Sequence, residues 1–358
     1  SELDNKALAA IIDPFGIGTY FVETEYWTLY EINKLLIPFS GNLLINRVLW
    51  LAVGFCLLTF TFYRFRLASV FEKSGKSKQT ILDAEETKDV QVELGNVKKS
   101  FSAISSMKEM FSQGWLEFVS TIKEIPFLGI LSAGVLLLLS NAVTVNQYYG
   151  TSTYPVTYHL LEFTSGNFAL IVFIIITFYS GELVWRERGF KMDQIMDSLP
   201  LPNWVYSGSK IWAMFLILSL LMTVLLVVNI FTQVFHGFYE FNLPLYFTEL
   251  FTIQLPMYFG VAILAILVQT FSANKFVGHV IMMFYYVLFF IAFGMMGVEH
   301  FLLKFPQVPS STYSDMNGFG HFLIALRWYQ VAWLFLSILF CLFITLFWAR
   351  GFRLSLKN

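Results

Sequence analysis

Long runs of apolar residues alternate with short polar segments along this 358-residue chain. An α-helix needs about 20 mostly apolar residues to cross the hydrocarbon core of a bilayer. Seven runs reach or approach that length, so the pattern predicts an all-α integral membrane protein with about seven transmembrane helices. The predicted spans are 43–63, 125–145, 168–185, 211–234, 255–271, 276–298 and 328–348.

Two polar stretches separate the first predicted span from the second. Residues 64–100 are rich in Lys, Glu, Asp, Ser and Gly, which is typical of a solvated linker without fixed structure. Residues 101–124 repeat apolar side chains at three- and four-residue steps, which predicts an amphipathic helix along the inner leaflet. A helix packed on a soluble domain is the weaker alternative, because no such domain lies nearby in this chain. The predicted apolar face carries Ile104, Met107, Phe111, Trp115, Phe118 and Ile122, and the predicted hydrated face carries Lys108, Glu109, Gln113 and Glu117.

Composition agrees with the membrane class, since 57% of the residues are hydrophobic and only 13% are charged. Cys56 and Cys341 fall within apolar runs, so we expect small buried side chains and no disulfide. The first 40 residues lack the basic start and apolar core of a signal peptide. We therefore expect a segment of a longer polypeptide, with 1–42 as an external segment.

The distribution of basic residues predicts how the chain is oriented. Cytoplasmic flanks of membrane spans retain Lys and Arg during insertion. With the first residue outside, most of the 23 basic residues fall on the cytoplasmic side. The sequence therefore predicts an external amino terminus, a cytoplasmic linker at 64–100 and a cytoplasmic tail at 351–358. The basic residues that remain outside in this arrangement are Lys6, Lys34, Arg47, Lys304 and Arg327.

The most informative polar stretch joins the third and fourth predicted spans. It begins with several charged residues at the end of an apolar run and ends in two prolines, which forbid helix continuation. Met192 and Ile195 can form the apolar face of a short helix near 186–198, which predicts a docking element for a soluble partner. Ordinary membrane-flanking charges followed by a proline turn are the alternative. The candidate docking residues are Glu182, Arg186, Glu187, Arg188, Gly189, Lys191, Asp193, Pro200, Pro202, Trp204 and Lys210.

Few other polar residues lie within the predicted spans. Glu182 stands at the inner end of an apolar run, where a carboxylate is costly unless paired, and we expect it to pair with Arg186 one helical turn away. No Asp, Glu, Lys or Arg falls near the midplane of a predicted span, which disfavours a proton- or ion-coupled carrier. Uncharged polar residues within the spans are expected to form hydrogen bonds between helices. These residues are Asn141, Thr223, Asn229 and Gln269.

The sequence contains no pattern of an enzyme or of a cofactor site. It has neither a Gly-rich Walker pattern nor a His-Glu-x-x-His zinc signature. Glu299 with His300, and His159 with Glu162, are the nearest carboxylate–imidazole pairs. Both pairs fall at predicted outer boundaries, which favours loop residues over metal ligands. We therefore expect no catalytic residue, metal or cofactor in this chain, and no nucleic-acid partner.

The segments around the first and last predicted spans share a layout. Each has an external Gly- and aromatic-containing stretch, an Arg at the outer boundary and a span that ends near another Arg. Arg47 and Arg64 occupy these places in the first copy, and Arg327 and Arg350 in the second. The layout favours a first span that closes a preceding homologous bundle, and a chance likeness is the alternative.

The charged joint and its surroundings resemble a known family. Gly181-Glu-Leu-Val-Trp-Arg-Glu-Arg188, followed by Asp197-Ser-Leu-Pro-Leu-Pro-Asn-Trp204, is similar to the permeases of the ABC-2 type of ABC transporter. With Asn46-Arg-Val-Leu-Trp50 ahead of the first span, the chain is most similar to bacterial permeases fused to an M1-family aminopeptidase. The fused branch often carries an acidic residue at the position of Gly189. Glycine at this position matches the broader ABC-2 pattern instead.

The resemblance implies both a fold and a function. It implies a six-helix permease bundle over 125–350, preceded at 43–63 by the last helix of a first bundle, in a bacterial inner membrane. The homologous first bundle would lie in the same chain or in a dimer partner. The helix near 186–198 would be a coupling helix that docks on an ABC ATP-binding subunit, where ATP is hydrolysed. The expected process is export, and any peptidase would lie outside this segment.

A second function class stays open from the sequence. The helices could form a membrane scaffold that anchors a fused or partner enzyme, such as an aminopeptidase, without transporting anything. The two hypotheses differ in whether the stretch from Glu182 to Lys210 binds an ATPase.

Overall fold

A computed structural model of the chain describes residues 11, 17–35, 38–64, 102–142, 147–148, 151–152, 154–298 and 300–348. The chain divides into two compact units, Ser1–Val97 and Lys98–Asn358, which are described separately. The core of the predicted linker and the predicted tail at 351–358 lie outside the described residues.

The first unit contains three described helices, α1 (Ile17–Thr24), α2 (Leu29–Lys34) and α3 (Gly41–Arg64). A capping box begins α2, because the Thr28 hydroxyl accepts a hydrogen bond from the Glu31 backbone N–H while the Glu31 carboxylate accepts one from the Thr28 N–H. Asn46 Nδ2 donates to the backbone oxygen of Ile11 at 2.9 Å. Cys56 is exposed on the long apolar α3, so the expectation that it is buried was wrong.

The second unit is built almost entirely from helices. It also contains one short antiparallel hairpin, and two of its long helices are interrupted by π-helical turns. The helices and strands are α4 (Ala103–Ile122), α5 (Ile125–Ala142), β1 (Gln147–Tyr148), β2 (Thr151–Ser152), α6 (Thr157–Gly189), α7 (Asp193–Asp197), α8 (Asn203–Phe235), α9 (Leu243–Phe247), a π segment (Thr248–Gln254), α10 (Leu255–Phe271), α11 (Lys275–Val287), a π segment (Leu288–Ala292), α12 (Phe293–Met295), a 3₁₀ turn (Phe301–Leu303) and α13 (Phe322–Leu346).

Five described helices are long and apolar enough to cross a membrane, and a bent pair makes up to six. The pair is α4 with α5, which meet at an angle of 68°. The predicted span 276–298 is helical over residues 275–295, and it changes from α to π geometry after the 13 residues of α11. The architecture is consistent with a multi-pass helical membrane protein, while the count of seven and the orientation remain predictions.

Two helices exceed the lengths predicted from their apolar runs. Both α6 and α8 have 33 residues, which corresponds to about 50 Å of helix. The hydrocarbon core of a bilayer is about 30 Å thick. Both helices begin well before the predicted apolar runs, α6 also continues four residues past its run, and α8 ends one residue after its run.

The core of the second unit lies where α6, α8 and α10 pack together. Its side chains are branched aliphatic residues and small residues that allow close helix approach. Fully buried examples are Val172, Ile175, Ile176, Met214, Ile217, Leu221, Ala262, Ala265 and Ile266.

The amphipathic helix α4 packs along the first half of α8. A Cβ at Gly114 would lie 2.8 Å from the Ser209 backbone oxygen, and one at Gly208 would lie 2.5 Å from Met110 Sδ. The backbones are in near contact at Gly114, where a larger residue would meet a backbone atom, whereas at Gly208 the flexible Met110 side chain would have to move. The predicted helix at 101–124 is confirmed over Ala103–Ile122, and its apolar face is largely exposed.

A proline explains an unusual set of hydrogen bonds in the span that begins at Leu243. Pro256 has no N–H, so the carbonyl of Thr252 loses its normal α-helical donor. Gln330 Nε2 and Arg327 Nη1 of α13 donate to that carbonyl at 2.8 Å and 3.1 Å. These contacts join the two spans.

Uncharged polar residues within the spans behave in different ways. Gln269 forms hydrogen bonds between helices as predicted, while the Thr223 hydroxyl donates only to Ser219 of its own helix. Asn229 is fully buried, and within the described part of the chain neither of its amide atoms has a hydrogen-bond partner. The prediction of an interhelical bond was therefore wrong for Thr223 and Asn229, and the side chain of Asn141 lies outside the described residues.

Candidate functional site

The segment between α6 and α8, residues 190–202, forms the predicted joint and is called the coupling segment below. The helix α6 ends in a Schellman motif, in which Met192 N–H bonds the Glu187 carbonyl at 2.9 Å and Lys191 N–H bonds the Arg188 carbonyl at 3.1 Å. Lys191 occupies the left-handed position with φ of 56°. Glycine is the usual residue there, yet Gly189 lies two residues earlier, inside the helix.

The prolines end the coupling segment as the sequence predicts. Pro202 lies at the N-cap of α8 in an extended conformation with ψ of 153°, and the helix starts at Asn203. The Tyr206 hydroxyl donates to the backbone oxygen of Met196 at 2.6 Å. This contact ties the end of the short helix α7 to the first turn of α8, which restricts the movement of one against the other.

Behind the coupling segment lies a cluster of buried ion pairs. Lys210 Nζ donates to Glu187 Oε1 at 2.8 Å and also forms a hydrogen bond with Glu117 Oε1. Glu117 Oε2 accepts a second bond from Arg186 Nη1 at 2.7 Å. The cluster therefore joins α4, α6 and α8 through Glu117, and charge-assisted bonds of this kind are stronger than bonds between neutral groups.

The second terminal nitrogen of the Arg186 guanidinium contacts Thr121 of α4 and Glu124, which lies shortly after that helix. Its Nη2 donates to Thr121 Oγ1 at 2.9 Å and to Glu124 Oε1 at 2.8 Å. Partial burial raises the pKa of the Glu124 carboxyl, although the nearby Arg186 charge acts in the opposite direction. Glu124 is thus the less favourable of the two carboxylates that Arg186 contacts.

The burial of these side chains corrects part of the sequence interpretation. The exposed fraction is 0% for the Lys210 side chain, 14% for Arg186 and 12% for Glu117. Lys210 therefore cannot contact a partner directly, and Arg186, which is also a candidate docking residue, is mostly buried. The placement of Glu117 on the hydrated face of the amphipathic helix was also wrong, because that part of α4 packs against α8.

Glu182 has a different partner from the one predicted. Its Oε1 accepts a hydrogen bond from Lys275 Nζ of α11 at 2.7 Å, whereas Arg186 pairs with Glu117 and Glu124. The local pairing of Glu182 with Arg186 was therefore wrong. Since the Glu182 and Lys275 side chains are each more than a third exposed, this pair contributes little to stability on its own.

A second polar cluster holds α6 against α10 and α11. Gln269 Oε1 accepts from Trp185 Nε1 at 3.1 Å, and Gln269 Nε2 lies 3.1 Å from His279 Nδ1. Added Cβ atoms at Gly181 or Gly278 would come within 2.4 Å of these side chains. The Arg188 guanidinium lies over the Trp185 ring at 4.8 Å, which is a cation–π contact.

The coupling segment presents an apolar surface away from these clusters. Phe190 is 75% exposed and Ile195 is 62% exposed, and Met192 and Leu199 are exposed beside them. We call these four residues the apolar tip. Contiguous exposed apolar side chains with polar residues at the rim mark interaction surfaces. Gly189, Lys191, Pro200 and Pro202 are also exposed, and Arg188, Asp193 and Trp204 are half-buried.

Sequence reasoning missed three residues of the buried cluster: Glu117, Thr121 and Glu124. Gly114, Glu117 and Thr121 recur at helical spacing, so small and polar residues form one stripe that packs on α8. That stripe was the available signal. An apolar stripe is normally taken as the packed face of a helix. In α4 the more prominent apolar stripe is exposed, so the packed stripe was overlooked.

Comparisons with protein-family models, curated proteins and solved structures gave no match. The likeness to ABC-2 permeases therefore remains a prediction from the charged joint.

Proposed function

We propose that this chain is the permease component of an ATP-driven transporter, and that its coupling segment docks on an ATP-binding subunit. The apolar tip is the observation that carries the proposal. It stands between two 33-residue helices, α6 and α8, which are longer than the thickness of the bilayer core. The tip is therefore expected beyond the membrane surface, where a soluble subunit can reach it.

The buried ion pairs support a mechanical role for the coupling segment. A displacement of the tip acts on the ends of α6 and α8, and Glu117 links both helix ends to α4. Tyr206 further restricts flexing between α7 and α8. A segment with few internal degrees of freedom transmits a push to the spans better than a flexible loop does.

The character of the tip indicates the surface that it fits. Phe190, Met192 and Ile195 require an apolar groove, and Lys191 at its edge favours an acidic rim. ATP would be bound and hydrolysed on the partner. By the resemblance in sequence, the proposal includes export across a bacterial inner membrane, with a homologous first bundle in the same chain or in a dimer partner completing the pathway.

The test combines the full-length protein with ATP-binding subunits encoded next to it. The two are co-expressed and reconstituted in nanodiscs, and ATP hydrolysis is measured with and without the permease. We expect the single variants Phe190→Asp and Ile195→Asp to lower stimulated hydrolysis at least about tenfold, because a charge would be buried in an apolar groove.

Met316→Asp is the matched control. Met316 is 98% exposed in the loop before α13, outside the coupling segment, so this variant should leave hydrolysis unchanged. If the tip variants stimulate hydrolysis as well as the unmodified protein does, docking through the tip is excluded. If no ATP-binding subunit associates with the unmodified protein, the scaffold hypothesis replaces the transporter hypothesis.

A further inference from the structure

A polar cleft lies at the end of the second unit opposite the coupling segment. It has a volume of about 460 Å³ and lies between the start of α6, the π segment before α10 and the loop before α13. About 36 Å of helix separates Glu162 in the cleft from Arg186 in the buried ion cluster. The cleft is therefore a separate site. The lining residues used below are Tyr158, Glu162, Ser165, Glu249, Gln254 and Tyr313.

The charge of the cleft is negative. Glu162 and Glu249 line it, and the described lining residues include His159 but neither Lys nor Arg. Glu249 is half-buried, and its Oε1 accepts one hydrogen bond, from Gln254 Nε2 at 3.0 Å. His159 is the one basic side chain among the described residues of the lining, so the two carboxylates outnumber it and the cleft favours a cation.

The amide of Gln254 holds the carboxylate of Glu249 in place. Its Nε2 donates to Ser165 Oγ at 2.9 Å and to Glu249 Oε1 at 3.0 Å. The carboxylate can only accept when ionised, which fixes the amide with its nitrogen towards Glu249. The Gln254 Oε1 atom is consequently buried without a donor. A buried acceptor of this kind costs free energy until a donor reaches it.

Aromatic rings provide the rest of the lining. The Tyr158 and Tyr313 rings lie 6.0 Å apart between centroids, and the Tyr313 and Phe319 rings pack edge to face at 5.3 Å. Asn242 Nδ2 donates to the Tyr313 hydroxyl at 3.3 Å, which holds that ring in place. The faces of aromatic rings attract organic cations, and most strongly when water is excluded.

We propose that this cleft binds an organic ammonium group. An ammonium supplies N–H donors to the carboxylates of Glu162 and Glu249, while its alkyl part lies against the tyrosine rings. A bare metal ion fits less well, since the described chain contains no group of three or more His, Cys, Asp or Glu placed to hold one. The volume falls within the range of small-molecule sites.

Two sources could supply this chemistry: a free amine, or the ammonium headgroup of a membrane lipid. The first experiment uses butylammonium with the full protein in nanodiscs of anionic phosphatidylglycerol, and binding is followed by calorimetry. Neutral butanol and anionic butyrate serve as control probes. We expect butylammonium to bind and both control probes to fail. Equal binding of butanol, or preferential binding of butyrate, would overturn the proposal.

Variants then locate the binding. Glu249→Gln and Glu162→Gln should each weaken butylammonium binding at least about tenfold. Tyr313→Leu should weaken it less, and it provides a second readout if a Glu variant fails to fold. Glu240→Gln is the matched control, because Glu240 is an exposed acid on the neighbouring loop that does not line the cleft. Unchanged affinity in both Glu variants that line the cleft would exclude this site.

The source is decided by lipid composition. In nanodiscs of phosphatidylethanolamine, whose headgroup carries an ammonium, weaker apparent binding of butylammonium indicates that the lipid competes for the cleft. Equal binding in both lipids indicates a free amine, and both results support the ammonium site. These measurements need no ATP-binding subunit, so their failure would leave the proposed docking of the coupling segment untouched.

Discussion

Lys210 of α8 forms an ion pair with Glu117 of α4, although 93 residues separate the two in sequence. Neither side chain is exposed enough to be an ordinary surface charge. A buried ion pair contributes modestly when intact, but the loss of one partner leaves an uncompensated charge. The end of the unit that holds the coupling segment is therefore sensitive to single neutral substitutions.

The variant Lys210→Met is expected to destabilise the second unit by about 3 kcal/mol. Removal of the Lys210 ammonium leaves Glu187 without its cation and leaves Arg186 as the remaining ion-pair partner of Glu117. The measurement is the midpoint of thermal unfolding in nanodiscs. Lys108→Met, on the predicted hydrated face of α4, is the control, because Lys108 is exposed and the change should have little effect. Equal midpoints for both variants would contradict the role assigned to Lys210.

The two carboxylates that contact Arg186 should differ in their effects. Glu117→Gln breaks bonds to both Arg186 and Lys210 and should cost about 2–3 kcal/mol. Glu124→Gln should cost below about 1 kcal/mol, since Glu124 is 36% exposed and burial opposes its charged form. Thermal unfolding of the two variants under identical conditions gives the comparison. A larger effect for Glu124 would mean that Glu117 is not the centre of the cluster.

The end of α6 offers a test of backbone conformation. Lys191→Gly should stabilise the protein by up to about 1 kcal/mol, because Lys191 occupies the left-handed region where a Cβ is unfavourable. Gly189→Ala should stabilise it by about 0.5–1 kcal/mol, since no atom lies within 4 Å of the added Cβ. Urea or thermal unfolding reports both changes. Destabilisation by Lys191→Gly would show that the helix ends elsewhere.

Gln330 and Pro256 should show coupled effects. Gln330→Leu removes a donor from the Thr252 carbonyl and should cost about 1–2 kcal/mol. Pro256→Ala restores a backbone N–H that can reach the same carbonyl. Gln330→Leu should therefore cost less stability in the Pro256→Ala protein than in the unmodified protein. Unfolding midpoints of the four proteins form the cycle. If the two substitutions have strictly additive effects on stability, Pro256 and the hydrogen bond from Gln330 act independently.

Sequence patterns located most helices, because apolar runs and prolines report local physics. Pro200 and Pro202 end the coupling segment where they were expected to. Partners distant in sequence were not accessible in this way. Glu182 was assigned to Arg186 because helical spacing reveals neighbours one turn away, whereas its actual partner, Lys275, lies on another helix.

The candidate site was predicted in outline and corrected in detail. Charges near 182–210 indicated a functional joint, but a helical projection of α4 distinguishes polar from apolar faces and does not show which face packs. Glu117 was therefore placed in water. The end of α6 was also concealed, because Gly189 is the obvious helix terminator and Lys191 occupies that position instead.

The shared carbonyl of Thr252 has a consequence for the order in which the chain is made. A ribosome adds Pro256 long before it adds Arg327 and Gln330, which are 75 and 78 residues further along than Thr252. Until then the carbonyl lacks these two side-chain donors. A nascent chain that stops before α13 therefore also lacks hydrogen-bond donors to the earlier span that contains Thr252. Truncation before α13 is expected to expose the protein to membrane quality control.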